Sequence, residues 1–116
     1  MNEDDPVRVY LNEMSKVPPL TQDQEAECAR HIRAGDDQAE LSEKDLVEAN
    51  LALVVQIAQQ HPSEHVHILD LIQMGNQALL AAVQAFANSD AEDFSALAAR
   101  FIERAIEHAV VTAQKC

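Results

Sequence analysis

The spacing of apolar residues constrains the fold of this chain more than any other feature. Over residues 94–113 apolar residues recur every three or four positions without a break, and a similar spacing runs from Leu69 to Phe86. This period is typical of helices that bury one side against other elements. Only 2 Gly and 4 Pro occur in 116 residues, so few positions interrupt a helix. We therefore expect a compact all-α domain.

Capping and breaking residues divide the chain into about five predicted helices. Asp5-Pro6 predicts the start of the first helix, and Pro18 its end, because proline disfavours helix in the preceding residue. Thr21 and Gln24 form a capping box that opens the second helix, which Gly35 closes. The remaining predicted elements are a polar connector from Asp36 to Glu43, a long third helix from Ser42 or Glu43 to His61, a fourth helix that ends near Phe86 and a fifth that begins at Phe94-Ser95.

The wide apolar faces of the last three helices predict a shared core, because such helices are not stable alone in water. The residues expected in this single cluster are Leu53, Val54, Ile57, Leu79, Val83, Phe86, Phe94, Phe101, Ile102 and Ile106. On the fourth helix, Leu80 is expected on the same apolar side as Leu79. The acids of the second and third helices, Glu25 among them, are expected on solvated faces or at caps.

The net charge of −12 limits the classes of partner. Binding of nucleic acid depends on Lys and Arg that neutralise phosphates, and no segment here is a basic patch, so independent affinity for DNA should be poor. An acidic surface favours a basic protein partner or solubility alone. No apolar run approaches the roughly 20 residues of a membrane span, and the acidic N-terminus is unlike a signal peptide. Two cysteines form no disulfide framework, which favours the cytoplasm.

Catalysis and metal binding find little support in the sequence. We find no triad, phosphate-binding loop or paired-carboxylate arrangement, and we expect no enzyme activity and no cofactor. His61, His65 and His67 cluster within seven residues, but Pro62 breaks their periodicity. We interpret them as a solvated loop and predict no metal site.

Three polar residues on the fourth helix are in register. Asp70, Gln73 and Asn76 recur at steps of three and therefore share a side of the helix. They form either a partner-binding face or an ordinary polar face with Asp70 favourably placed near the helix N-terminus. Gly75 beside them indicates either a kink or a close contact between helices.

Four segments, in order, resemble the bacterial sigma-70 family of RNA polymerase factors. Residues 5–36 resemble the family's region 1.2, residues 46–58 the start of its region 2, and residues 70–76 its D-L-I-Q-E-G-N signature. Residues 94–106 fit the frame of the helix that melts promoter DNA. The resemblance implies a region-1.2-like part at 1–40 and a region-2-like part at 41–116, together one domain. It also implies a site for the coiled coil of the polymerase core's largest subunit, formed by Asp70, Gln73, Met74, Asn76 and Leu53.

The last helix departs from the family. Where the family carries a run similar to Y-A-T-W-W-I-R, this chain has residues 97–103 with one aromatic, Phe101. The resemblance leaves Arg100, Arg104 and Arg8 as the candidates for DNA contact. We therefore expect a sigma-like initiation protein that binds polymerase and contacts promoter DNA only within the holoenzyme, if at all. The alternatives are a sigma mimic that occupies polymerase or an anti-sigma protein without binding DNA, and a helical scaffold with no role in transcription.

Overall fold

The described part of the chain folds into six helices that surround one core. The computed structural model describes residues 6–14, 16–90 and 93–114, and within them it contains helices and no strand. The helices are α1 (Pro6–Met14), α2 (Gln22–Ala34), α3 (Ala39–Glu48), α4 (Leu51–Gln59), α5 (Ile68–Ala87) and α6 (Phe94–Gln114). The predicted all-α fold is confirmed. In the described part of the chain, no helix combines the length and the apolar character that crossing a membrane requires.

Helix α2 has both predicted ends. The Thr21 hydroxyl accepts the Gln24 N–H at 3.1 Å, and the Gln24 side chain accepts the Thr21 N–H at 2.9 Å, which is the predicted capping box. Gly35 ends the helix with φ at 63°, and its N–H contacts the carbonyls of His31 and Ile32. Pro6 is the first residue of α1, as predicted, whereas Asp5 lies outside the described residues.

The single long third helix was a wrong prediction, because α3 and α4 are separate helices. Helix α3 begins at Ala39, inside the predicted polar connector, and the chain turns at Ala49 and Asn50. The buried Asn50 amide donates to the Leu46 carbonyl at 2.9 Å and accepts the Ser95 hydroxyl at 3.0 Å. A side chain that bonds the backbone of the preceding turn competes with helix continuation, and Asn50 also ties this turn to α6.

Most of the predicted core residues form one buried cluster. Val54, Ile57, Leu79, Val83, Phe86, Phe94, Ile102 and Ile106 all belong to it, together with residues of α1, α2 and α3. Phe86 and Phe94 lie side by side, with ring centroids 5.2 Å apart and planes inclined at 58°. Phe101 and Leu53 are only half-buried against the cluster, so the prediction that they are core residues was too strong.

Gly75 lies where α5 packs closely against α4 and α6. A Cβ placed on Gly75 would lie 2.6 Å from Val54 Cγ1 on α4, and 3.3 and 3.4 Å from Ile102 and Ile106 on α6. Real Cβ atoms need more room than the first of these distances allows. Of the two readings of Gly75 from sequence, the structure favours the close contact between helices.

Helix α2 fixes both ends of the connection between α5 and α6. A Glu25 carboxylate oxygen accepts the Phe94 N–H at 3.1 Å, which satisfies a backbone donor at the start of α6. The Arg33 Nε donates to the Ala87 carbonyl at 2.7 Å, at the end of α5. Glu25 is only 4% exposed, so its assignment to a solvated face was wrong. Its partner lies 69 residues away in sequence, which no local pattern reveals.

We expect the Glu25→Gln variant to be more stable than the wild type at pH 7. Burial raises the pKa of the Glu25 carboxyl, and the Asp93 carboxylate adds to the effect, while the Phe94 N–H opposes it. Because the pKa of Glu25 is higher in the folded than in the unfolded state, its protonated carboxyl contributes fully to stability at pH values below the unfolded-state pKa. This contribution is lost as the pH rises through the folded-state pKa. Glutamine keeps the accepting oxygen but carries no charge at any pH. The stability advantage of Glu25→Gln over the wild type should therefore shrink as the pH falls towards 4.5 and Glu25 itself becomes protonated. Urea melts at pH 7 and pH 4.5 measure the difference.

The matched control is Glu25→Ala, which removes the acceptor altogether. It should lose about 1–3 kcal/mol at both pH values, because the buried Phe94 N–H is left unsatisfied. A Glu25→Gln variant that is less stable than the wild type at pH 7 would contradict this account of Glu25.

Candidate functional site

The predicted polar residues of the fourth helix lie on the first turns of α5. Asp70, Gln73 and Met74 are exposed, with Met74 at 40%, whereas Asn76 is half-buried. The helix is capped by His67, whose Nδ1 accepts the Leu69 N–H at 3.1 Å. Asp70 lies in the first turn, where the helix dipole favours a negative charge. The exposed side of these turns is named the α5 ridge, defined by Asp70, Gln73 and Met74.

A hollow of about 300 Å³ separates the α5 ridge from α1. It is lined by Val7 and Tyr10 on one side and by Leu69, Ile72, Gln73 and Asn76 on the other. The Asn76 Oδ1 is shielded from solvent and has no hydrogen-bond partner in the described part of the chain. Gln73 and Asn76 therefore share a face, as their register predicted, and Asn76 lies at the α1 border of that face.

A larger and more open groove lies on the other side of the ridge, between α5 and α6. Its volume is about 570 Å³, and its lining includes Met74 and Ala78 of α5 and Ala105 and Ala109 of α6. Met74 lies in this groove rather than in the α1 hollow. The five residues predicted to bind the polymerase core are thus not one compact patch: Gln73 and Asn76 border one hollow, and Met74 the other.

Two exposed leucines adjoin the predicted residues. Leu69 is 43% exposed and Leu80 56% exposed, although both were assigned to the apolar, core-facing side of the helix. The helix register could have revealed Leu80, since it follows Asn76 by four residues and Gln73 by seven and therefore shares their side. Leu53, the remaining predicted residue, is half-buried on α4.

The candidate DNA-contacting arginines lie on two helices. Arg100 and Arg104 are exposed and four residues apart on α6, so they share a side of that helix. Glu103 and Glu107 are exposed beside them and offset their charge. Arg8 is exposed on α1. The three arginines form no concentrated basic surface.

The histidine loop has a structural role at one position, since His67 caps α5. Within the described residues, no group of three or more His, Cys, Asp or Glu side chains is arranged to hold a metal ion.

Comparisons with known proteins agree with the order of the segments along the chain. The profile for sigma-70 factor region 1.2 matches residues 5–38, and the profile for sigma-70 region 2 matches residues 46–115. The second match alone covers more than half of the chain, from the end of α3 to the end of α6.

Curated relatives match over nearly the whole chain. RNA polymerase sigma factor SigA of Lactococcus lactis subsp. lactis (strain IL1403) is 42% identical over 107 residues, which are 92% of this chain and 28% of the relative. The sigma factors SigA of Bacillus sp and Clostridium acetobutylicum are 43% and 44% identical, over 91% and 92% of this chain and 27% and 28% of the relatives. The chain thus spans less than a third of the length of these relatives. Because two sigma-70 regions match in order along most of its length, the chain belongs to the sigma-70 family.

Proposed function

We propose that this chain binds the core of RNA polymerase as a sigma-type protein in transcription initiation, and that the α5 ridge is its binding face. The observation that carries the proposal is the exposure of Asp70, Gln73 and Met74 on adjacent turns of one helix within a region-2 fold. The partner implied by the family resemblance is the coiled coil of the polymerase's largest subunit. Residues 1–40 and 41–116 would act as one unit, because α1 borders the proposed face.

The chemistry of the ridge suits a helical protein partner. The amide of Gln73 can donate and accept hydrogen bonds, and the carboxylate of Asp70 can pair with a basic side chain. Leu69 and Met74 add exposed apolar surface next to these polar groups. Protein interfaces commonly combine an apolar centre with a polar surround of this kind. Hollows on both sides leave the ridge prominent, which favours contact with an extended coiled coil.

We also expect the isolated chain to have little affinity for promoter DNA. Stacking on unpaired bases needs exposed aromatic faces, each worth about 1–3 kcal/mol, and the ring of Phe101 is half-buried against the core. Phosphate contact needs a cationic surface, whereas Glu103 and Glu107 accompany Arg100 and Arg104. Contact with DNA would then depend on the remainder of a holoenzyme.

The test of polymerase binding is competition with a full-length sigma factor. Labelled full-length SigA of a related organism is bound to core polymerase, and the unlabelled chain is titrated in while anisotropy is followed. We expect displacement that is complete at high concentration, because both would occupy the same coiled coil. No displacement by a chain that circular dichroism shows to be folded would contradict the proposal.

DNA affinity is tested with a fluorescent promoter duplex at physiological salt. We expect no saturable binding by the isolated chain. Measurable binding is expected only after Leu97→Tyr and Arg100→Trp add aromatic side chains and Lys replaces the acids Asp90, Glu92 and Asp93. Micromolar binding by the unaltered chain would overturn this part of the proposal and would make Phe101 a candidate for base stacking.

A further inference from the structure

A shallow hollow with an apolar floor lies between α3 and α5. Leu80 and Val47 form the apolar part of its lining, and Glu40, Glu43, Lys44 and Glu48 the polar part, around a volume of about 330 Å³. Leu80, at 56%, has the highest exposed fraction of the large apolar side chains in the described part of the chain. A leucine in this position leaves apolar surface in water that a partner can cover.

This α3–α5 hollow continues the α5 ridge. Leu80 follows Gln73 by seven residues, which is about two turns of helix, so the two side chains project from the same side of α5. Gln84 follows one turn later on that side, and its Nε2 donates to a Glu43 carboxylate oxygen of α3 at 3.0 Å. One exposed surface therefore runs from the first turns of α5 to α3.

The walls of the hollow carry an excess of negative charge. Glu43 is bonded to Gln84, and a Glu48 oxygen lies 3.8 Å from the Lys44 Nζ. Glu40 is exposed and lines the same hollow. The lining thus carries three carboxylates and one ammonium group. An acidic segment or a nucleic acid would be repelled here, whereas a cationic segment would be attracted.

We propose that the α3–α5 hollow binds a basic protein segment that places one aliphatic side chain against Leu80 and Val47, with Lys or Arg on either side. This inference rests on the proposed function, since the segment would belong to the partner that covers the α5 ridge. The aliphatic side chain loses water on the apolar floor, and its cationic neighbours approach Glu40 and Glu48. The hollow extends the docking surface beyond α5 and makes α3 part of it.

Two exposed leucines of α3 and α5 allow a matched experiment. Leu80 is 56% exposed and Leu41 is 54% exposed, but Leu41 does not line the hollow. In titrations of core polymerase, we expect Leu80→Ser to weaken binding about tenfold, as a central interface residue does, and Leu41→Ser to change it less than twofold. Equal effects of the two variants would overturn the proposal. Circular dichroism melts show whether each variant remains folded, as their exposure predicts.

The charge of the walls is tested separately with Glu40→Gln. We expect this variant to bind core polymerase about threefold more weakly at low salt, with the difference vanishing at high salt, because exposed charges are screened there. Unchanged affinity at low salt would contradict the role given to the carboxylates.

A second probe separates failure of this inference from failure of the proposed function. The probe is a synthetic helical peptide with one leucine flanked by lysines four residues before and after it. If Leu80→Ser weakens peptide binding and Leu41→Ser does not, the result supports the hollow. If core polymerase then fails to bind the chain, the proposed function alone is overturned. If Leu80→Ser changes neither peptide binding nor polymerase binding, the inference alone is overturned.

Discussion

The Phe94→Ala variant is expected to lose about 3–5 kcal/mol of unfolding free energy, the range found for removal of a buried aromatic ring. Phe94 has no exposed surface, and its ring packs against Phe86, which is 2% exposed. The substitution removes both the buried area and the aromatic contact. Since small domains are stable by only about 5–15 kcal/mol, the variant should lose a large share of its stability. Urea melts followed by circular dichroism measure the loss.

Phe101→Ala is the matched control, because it removes the same ring from a half-buried position on the same helix. Its loss should be smaller, since the free energy of burial scales with the area removed from water. Equal losses for the two variants would mean that Phe101 belongs to the centre of the core, contrary to its exposure.

The Gly75→Ala variant is expected to be destabilised although alanine is the better helix former. Overpacking of a core commonly costs about 1–3 kcal/mol, whereas the gain in helix propensity is about 1 kcal/mol at most. The added Cβ would lie 2.6 Å from Val54 Cγ1, on a short branched side chain that is fully buried. Because Val54→Ala removes that methyl group, the double variant should lose less than the sum of the two single losses. We expect a coupling of about 0.5–3 kcal/mol.

Gly35 provides the control for this comparison of single and double variants. A Cβ there would meet nothing within 4 Å, but φ is +63°, so Gly35→Ala is strained by its backbone alone. Its loss should be independent of Val54. Additive losses for Gly75→Ala and Val54→Ala would refute the close contact as the reason for the glycine.

The helix ends that depend on local contacts were predictable from sequence. Thr21 and Gln24 are three residues apart, and Gly35 acts on the turn just before it, so each appears as a short pattern. The break between α3 and α4 was not predictable in this way. At this break the buried side-chain oxygen of Asn50 accepts a hydrogen bond from the hydroxyl of Ser95, which lies 45 residues later. The burial of Glu25 depends on a similarly distant partner.

The periodicity of a helix gives the direction of a side chain but not the depth to which a neighbour covers it. Phe101 lies in the apolar stripe of α6, yet it is at the margin of the core rather than within it. On α5 the register correctly gave a shared face for Gln73 and Asn76, which line the same hollow. The hollows that border this face could not be read from α5, because they depend on where α1, α3 and α6 lie.

Titration of core polymerase with Asp70→Ala/Gln73→Ala tests the central claim most directly. The matched control is Gln22→Ala/Asp23→Ala, which removes an exposed amide and an exposed carboxylate near the start of α2 instead. We predict that the α5 variant binds at least tenfold more weakly than the wild type, since a few residues dominate most interfaces, while the α2 variant binds as the wild type does. Equal affinities of the wild type and a folded α5 variant would show that the α5 ridge is not the binding face.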